Sequence, residues 1–455
     1  MLSALEERRL IETLAEARAP RYTSYPTAVQ FGPGVDAQTY AGWLAALPDD
    51  RPVSVYVHIP FCRRLCLYCG CNMQVARRQE PVTDYVQLLD REIELAFWAR
   101  GRGLTASTLH LGGGSPDCLS PADLERLFAS LRYAFHLPKD MAFDVEIDPA
   151  HVSEDFIRAA ARFGLTRASL GVQTFAPAVQ AAIHRPQSVE RVSEVVAALR
   201  SAGVQGVNFD LMYGLPKQTL ADVIDTIDQA LALQPSRIAV FGYAHMPQLK
   251  AHQKVFAAET LPGVVERMAQ AEAAADRLVG AGYVRIGLDH FALPDDAMAR
   301  AATTGGLHRN FQGYTTDAAE TLIGLGVSAI SRLPQGYAQN AHGLGAWRAA
   351  LSQGRLPVER GVAFTGDDRL RADIIERLMC DGWVDLAAAC ERHNGSARDL
   401  ESIWDPLVEF VKDGLVELYG ELVHVTPRGR FLIRTLCTAF DRYYEPERGR
   451  HSVAV

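Results

Sequence analysis

From Val53 onward the chain repeats one alternation of apolar and polar positions. A short apolar, β-branched run is followed by a longer stretch with apolar residues at helical spacing. The runs are VSVYVHI (Val53–Ile59), STLHLGGG (Ser107–Gly114), MAFDVEID (Met141–Asp148), RASLGVQ (Arg167–Gln173), VNFDLMYG (Val207–Gly214) and RIAVFGYAH (Arg237–His245). Between them lie amphipathic stretches, one near Asp84–Arg100 and one opened by Ser120, Pro121 and Asp123 as N-cap, first-turn proline and first-turn acid. Strand–helix alternation predicts an α/β fold with a parallel sheet. Six such units lie between about residues 53 and 250, fewer than the eight of a complete barrel. The pattern therefore predicts a partial (βα)6 barrel, open enough for a large substrate.

The ends of the chain read differently. MLSALEERRLIETLAEARAP mixes charge with apolar residues at helical spacing, which is neither a signal peptide nor an anchor. PRYTSYPTAVQFGPGV follows as an irregular segment rich in Pro, Gly and hydroxyls. From about Val362 the pattern turns to helices and one hairpin, LVELYGELVHVTP, with its turn near Tyr419-Gly420. We therefore divide the chain into an N-terminal extension (1–50) contacting the active site, a catalytic domain (51–360) and a mainly helical cover domain (361–455). A winged-helix reading of the last part is weakened by its interspersed acids, which give no basic recognition face. The 455 residues carry net charge −8, with 48% hydrophobic and 22% charged residues, and no apolar run of spanning length. These values give no support to nucleic-acid or membrane partners.

The chemistry concentrates in HIPFCRRLCLYCGCN, where Cys62, Cys66, Cys69 and Cys71 fall within ten residues. Cys62, Cys66 and Cys69 are spaced Cys-x3-Cys-x2-Cys. Three thiolates from one loop suit a cubane [4Fe-4S] cluster with one iron free of protein ligand, where a small molecule can coordinate. Two alternatives stand beside this reading: a zinc site using Cys71 or His58 as fourth ligand, and a fully ligated electron-transfer cluster using Cys71. A disulfide framework does not suit a chain of this length and spacing, and reduced cysteines imply cytoplasm. Glu146, Gln173, Asp210 and His245 stand near strand C-terminal ends, where such folds place their sites. The Gly112-Gly113-Gly114-Ser115-Pro116 turn lacks the lysine and spacing of a P-loop; it serves either a ligand's close approach or a tight turn.

The run YVHIPFCRRLCLYCGCN resembles the radical S-adenosylmethionine (SAM) superfamily. Together with PRYTSYPTAVQF, EIDP, NFDLMYGLPKQT, YAHMP, LHRNFQGYTT and GLGVSAIS, it is similar more narrowly to the oxygen-independent coproporphyrinogen III oxidases of haem biosynthesis. The resemblance implies a radical-SAM barrel with Cys62, Cys66 and Cys69 as cluster ligands. It assigns one SAM to Tyr56, Gly113, Glu146 and Ile330, and a second to Tyr68, Gly114, Ser115, Gln173, Arg185, Asp210 and Ala244. Tyr68 stands where Phe is common, Ser115 where Thr is usual, and Asp117-Cys118 departs from the common pattern. The implied reaction is oxidative decarboxylation of two propionates of coproporphyrinogen III to vinyl groups by a 5′-deoxyadenosyl radical, giving protoporphyrinogen IX. Implied partners are that substrate and an electron donor such as a flavodoxin or ferredoxin, with the protein a monomer. Arg21, Arg185 and Arg309 are candidates to pair propionates. Cys71 and Tyr22 are candidates for an electron or proton relay. The alternative function is a haem-transfer chaperone, or another radical enzyme acting on haem.

Overall fold

The computed structural model describes residues 13–445. The helix expected over the first twenty residues lies in large part outside them. Six parallel strands follow in chain order: β1 (Val53–Ile59), β2 (Leu104–Gly113), β3 (Ala142–Ile147), β4 (Arg167–Gln173), β5 (Gly206–Tyr213) and β6 (Arg237–Gly242). Each pairs with its sequence neighbour. The main crossovers are α1 (Glu80–Arg100), α2 (Pro121–Ala134), α3 (Glu154–Arg162), α4 (Val189–Ser201) and α5 (Leu220–Ala232). Strand β1 is buried along nearly its whole length, as a parallel strand covered on both faces must be.

Local signals account for the helix boundaries. Ser120 Oγ accepts the Asp123 amide at 3.1 Å while the Asp123 carboxylate accepts the Ser120 amide at 3.1 Å, closing a capping box at α2. Helix α1 starts at Glu80, one turn before the expected Asp84, because Pro81 lies in its first turn, where no amide is needed. It stops at Gly101, whose φ of 83° a side chain would resist.

The sheet extends past the six predicted units on both sides. After α6 (Val264–Gly280), a hairpin of β7 (Val284–Ile286) and β8 (His290–Ala292) adds antiparallel to β6. At the other edge β9 (Leu322–Leu325) pairs parallel with β1, and β10 (Ile330–Leu333), β11 (Gly336–Asn340) and β12 (Val358–Ala363) continue antiparallel. These added strands are short, so they leave little periodicity to read.

Among the described residues, two large apolar cores result, with two small clusters beside them. The larger joins the sheet to its helices and takes in Tyr40 and Leu44 of the N-terminal extension. The smaller joins α7 (Asp368–Asp381), α8 (Ile433–Cys437) and the hairpin strands Val416–Tyr419 and Leu422–Val425. Ala15, Tyr22 and Tyr25 are buried in this second core. The extension is therefore shared between both cores, and β12 runs past residue 360 to Ala363. No helix among the described residues is long and apolar enough to cross a membrane.

Candidate active site

The cysteine loop is fixed where β1 ends. Phe61–Cys62 pairs with Gln74–Val75, so the segment between closes on itself. The Gly114 amide donates to Ile59 O at 2.8 Å and the Ser115 amide to Phe61 O at 2.7 Å, tying the glycine turn after β2 to the start of the loop. This contact explains the glycines. A Cβ on Gly114 would stand 2.6 Å from Phe61 O, and one on Gly113, whose φ is +113°, would stand 2.5 Å from the His58 ring.

Side chains from the opposite wall secure the rest of the loop. Gln253 Nε2 donates to Tyr68 O at 2.9 Å, His252 Nε2 to Cys69 O at 2.8 Å and Lys250 Nζ to Cys71 O at 2.9 Å. The Leu67 amide donates to Ile183 O at 3.0 Å. The loop is thus held by its backbone, which leaves its thiols to face a cavity of about 1110 Å³.

Cys62, Cys66, Cys69 and Cys71 all line that cavity, with Tyr68 and the Gly113-Gly114-Ser115 turn. Glu146, Gln173, Arg185, Asp210 and Ala244 line it too. Burial pushes the Cys62 thiol up to about 12, against the Ser115 hydroxyl that hydrogen-bonds it. Cys69 and Cys71 share a hydrogen bond, which lowers Cys69 and raises Cys71. Cys69 accepts the Cys71 amide at 3.4 Å as well.

Arg185 ties the loop to the sheet. Its Nη1 donates to Cys66 Sγ at 3.3 Å, and its Nη2 to Asp148 Oδ1 at 3.2 Å and Gly171 O at 2.7 Å. Burial alone would raise the Asp148 carboxyl; His151, Arg185 and Arg64 instead hold it down at about 2. Glu146 behaves similarly: burial opposes its charge, but His110 at 3.3 Å and the Gly113 amide at 3.0 Å keep it below the usual range. Asp210 goes the other way, raised to about 6 by burial and the nearby Glu146 charge, against a 3.1 Å hydrogen bond from Ser169.

Five expected positions, Tyr56, Ile330, His245, Tyr22 and Arg309, stand outside the cavity wall. Tyr56 hydrogen-bonds His58 Nδ1 at 3.0 Å and stacks on His110 at 5.8 Å, so it stands behind the wall. Ile330 begins β10, half-buried against the Gly324 backbone. His245 hydrogen-bonds Tyr243. Tyr22 is buried in the C-terminal core and donates to Asp441 Oδ2 at 3.1 Å. Its neighbour Arg21 does line the cavity, the backbone turning at Tyr22, whose φ is +45°.

Sequence reading missed Asp148, His110 and Asp317. The Asp317 carboxylate accepts Ser107 Oγ at 3.1 Å, Thr108 Oγ1 at 2.9 Å and the Ser54 hydroxyl, tying the start of β1 to the middle of β2. Asp148 carried a signal, since it closes the EIDP run at the end of β3. Asp317 carried none, because its partners are more than two hundred residues away.

The donor set suits an iron–sulfur cluster. Among the described residues, no three His, Cys, Asp or Glu side chains converge on a single ion position. A mononuclear zinc site needs such convergence, whereas thiolates binding separate irons of a cubane do not.

Comparison with known proteins agrees. Residues 56–230 match the radical SAM superfamily and residues 364–432 the HemN C-terminal domain. An oxygen-independent coproporphyrinogen III oxidase of Bradyrhizobium diazoefficiens is 46% identical over 446 residues, covering 98% of this chain and 99% of that one. One from Paracoccus denitrificans is 42% identical, covering 99% of this chain and all of its own.

This chain belongs to the oxygen-independent coproporphyrinogen III oxidase family.

The solved structure of the Escherichia coli coproporphyrinogen III oxidase HemN, a radical SAM enzyme, superposes with a TM-score of 0.89 at 37% identity. The match covers 94% of this chain and 100% of that one. Membership in the radical SAM superfamily brings a [4Fe-4S] cluster and SAM as cofactors.

Proposed function

We propose that this protein oxidatively decarboxylates two propionate side chains of coproporphyrinogen III to vinyl groups, giving protoporphyrinogen IX in haem biosynthesis. The observation that carries this reading is one cavity of about 1110 Å³ lined by the three-cysteine loop, the glycine turn and Glu146. It has room for a tetrapyrrole beside a nucleoside cofactor. Cys62, Cys66 and Cys69 would hold the cluster, leaving one iron for SAM. When bound, cluster and SAM supply a 5′-deoxyadenosyl radical that removes a hydrogen atom from the propionate β-carbon. Carbon dioxide then leaves, and one electron passes to an acceptor.

The protein's own residues position and shield. Arg185 places positive charge beside Cys66, and the Gly113–Ser115 turn allows backbone to approach a ligand. Glu146 stays ionised at the cavity wall, suited to a cationic or hydroxylated cofactor. Hydrogen abstraction needs no general base, consistent with a wall built of hydrogen-bonded pairs. We assign residues 1–50 and 361–455 to covering the cavity around the catalytic domain (51–360). We further propose a monomeric, cytoplasmic enzyme fed by a flavodoxin or ferredoxin, with either one or two SAM bound.

The test is anaerobic incubation of reconstituted protein with coproporphyrinogen III, SAM and reductant. Vinyl products with 5′-deoxyadenosine and carbon dioxide are expected. SAM cleavage without vinyl formation would remove the substrate assignment and spare the radical class.

A further inference from the structure

A second cavity, of about 260 Å³, opens beside the first and shares Arg21, Gly242 and Ala244 with it. It lies at the C-terminal ends of β5 and β6, whereas the cysteine loop follows β1, four strands away in the sheet. Among the described residues, five arginines line it, Arg21, Arg267, Arg285, Arg309 and Arg434, with one carboxylate, Asp289, which hydrogen-bonds His290 at 2.7 Å. Among the described residues no carboxylate pairs with Arg21, Arg267, Arg285 or Arg309 at salt-bridge distance. Their donors reach backbone carbonyls instead: Arg267 to Tyr243 at 3.0 Å, Arg285 to Leu288 at 3.4 Å and Arg309 to Arg21 at 3.3 Å.

Among the described residues, buried N–H groups remain without partners on three of them: Nε of Arg267, Nε of Arg285, and Nε and Nη1 of Arg309. Native proteins seldom leave such donors orphaned, because each costs free energy to desolvate. Clustered guanidinium groups also repel. Burial and neighbouring Arg430 bring Arg285 down to about 10, and burial and Arg21 bring Arg434 down to about 9. Two of the planes are nonetheless held in place, Arg285 over Phe431 at 4.6 Å and Arg309 over Tyr314 at 4.4 Å. Guanidinium planes held in this way, with no carboxylate pairing among the described residues, suit bidentate contact with a carboxylate.

We infer that this arginine pocket anchors the two adjacent propionates of the substrate that are not oxidised. The inference rests on the proposed substrate. In the type III isomer the propionates on rings C and D are neighbours, and both survive into the product. Seating that edge among the arginines turns the opposite edge, rings A and B, toward the cysteine loop. The pocket thereby selects which propionates meet the radical. Arg185, an expected propionate partner, is excluded from this role because Asp148, Gly171 and Cys66 already engage it.

The test measures equilibrium binding to the reconstituted protein of three oxidised, unreactive porphyrins: coproporphyrin III, protoporphyrin IX and the tetramethyl ester of coproporphyrin III. Wild type is compared with Arg267→Gln, Arg285→Gln and Arg285→Lys. The two free acids should bind within about threefold of each other, since both keep the anchoring pair. The ester should fail to bind. Each Gln variant should weaken both acids by roughly tenfold, as loss of a charge-assisted bond does, with partial rescue in Arg285→Lys. SAM binding should stay unchanged, and melting temperatures should hold or rise, because each Gln removes a repelled charge.

Unchanged porphyrin affinity in both Gln variants would overturn the anchor, as would protoporphyrin binding far more weakly than coproporphyrin. Loss of SAM binding instead would give the pocket to the carboxylate of a SAM molecule. Wild-type binding without turnover would leave the anchor standing and remove the proposed reaction. Turnover with unaltered KM in Arg285→Gln would do the reverse.

Discussion

The Arg185 guanidinium lies 3.3 Å from Cys66 Sγ and 3.2 Å from Asp148 Oδ1, joining the cysteine loop to the end of β3 through one buried cation. Arg185→Met should therefore act on folding and on the cluster together. Breaking a buried pair costs about 3–5 kcal/mol; the lower end is expected because Arg64 and His151 still face Asp148. Urea unfolding checks the stability, and iron content with the cluster's reduction potential checks the second effect. An unshifted potential would show that the contact with Cys66 carries no electrostatic weight.

Replacing the loop cysteines one at a time should separate ligands from bystander. Cys62→Ser, Cys66→Ser and Cys69→Ser should each lose most bound iron after reconstitution, while Cys71→Ser should retain it. Cluster loss in Cys71→Ser would restore the fully ligated alternative. Iron analysis and electron paramagnetic resonance of the reduced protein give the answer.

Gly114→Ala tests the turn that fixes the loop. Its Cβ would meet Phe61 O at 2.6 Å and Ile59 O at 2.9 Å, both rigid backbone atoms. A loss of about 1–3 kcal/mol is expected from such overpacking, together with weaker cluster retention. Gly70→Ala, with open space around its Cβ, is the matched control.

Tyr22→Phe distinguishes a packing role from a relay. The Tyr22 hydroxyl donates to Asp441 within the C-terminal core, away from the cavity wall. Its loss should cost about 1–2 kcal/mol of stability with kcat retained. A large fall in kcat at unchanged stability would support the relay.

Two carboxyls give opposite pH signatures. Asp148, held at about 2, adds stability that is complete above its unfolded value near 3.9 and fades as pH falls toward 2. Asp148→Asn should abolish that slope, losing on the order of 2 kcal/mol at pH 7. Asp210, raised to about 6, costs stability increasingly as pH climbs from about 4 to 6. Asp210→Asn should accordingly raise the melting temperature more at pH 7 than at pH 4. Melting curves from about pH 2 to 4 test Asp148, and from about pH 4 to 7 test Asp210.

The alternation from Val53 to His245 by itself determined the six parallel units, because β1 is largely apolar along its length, β3, β4 and β5 bury every second residue, and the crossovers between them are amphipathic. Cysteine spacing by itself determined the cluster reading, because Cys62, Cys66 and Cys69 are close in sequence and need only one loop to meet. Tertiary structure alone decided the rest. It brought Arg185 from the segment after β4 onto Cys66, and it put Asp317 beneath β1 and β2. It separated Arg21 from Tyr22, one facing the cavity and the other the C-terminal core. It also gathered Arg267, Arg285, Arg309 and Arg434 from four distant elements into one pocket. Contacts between residues far apart in the chain leave no periodicity, and only the folded sheet brings them within reach.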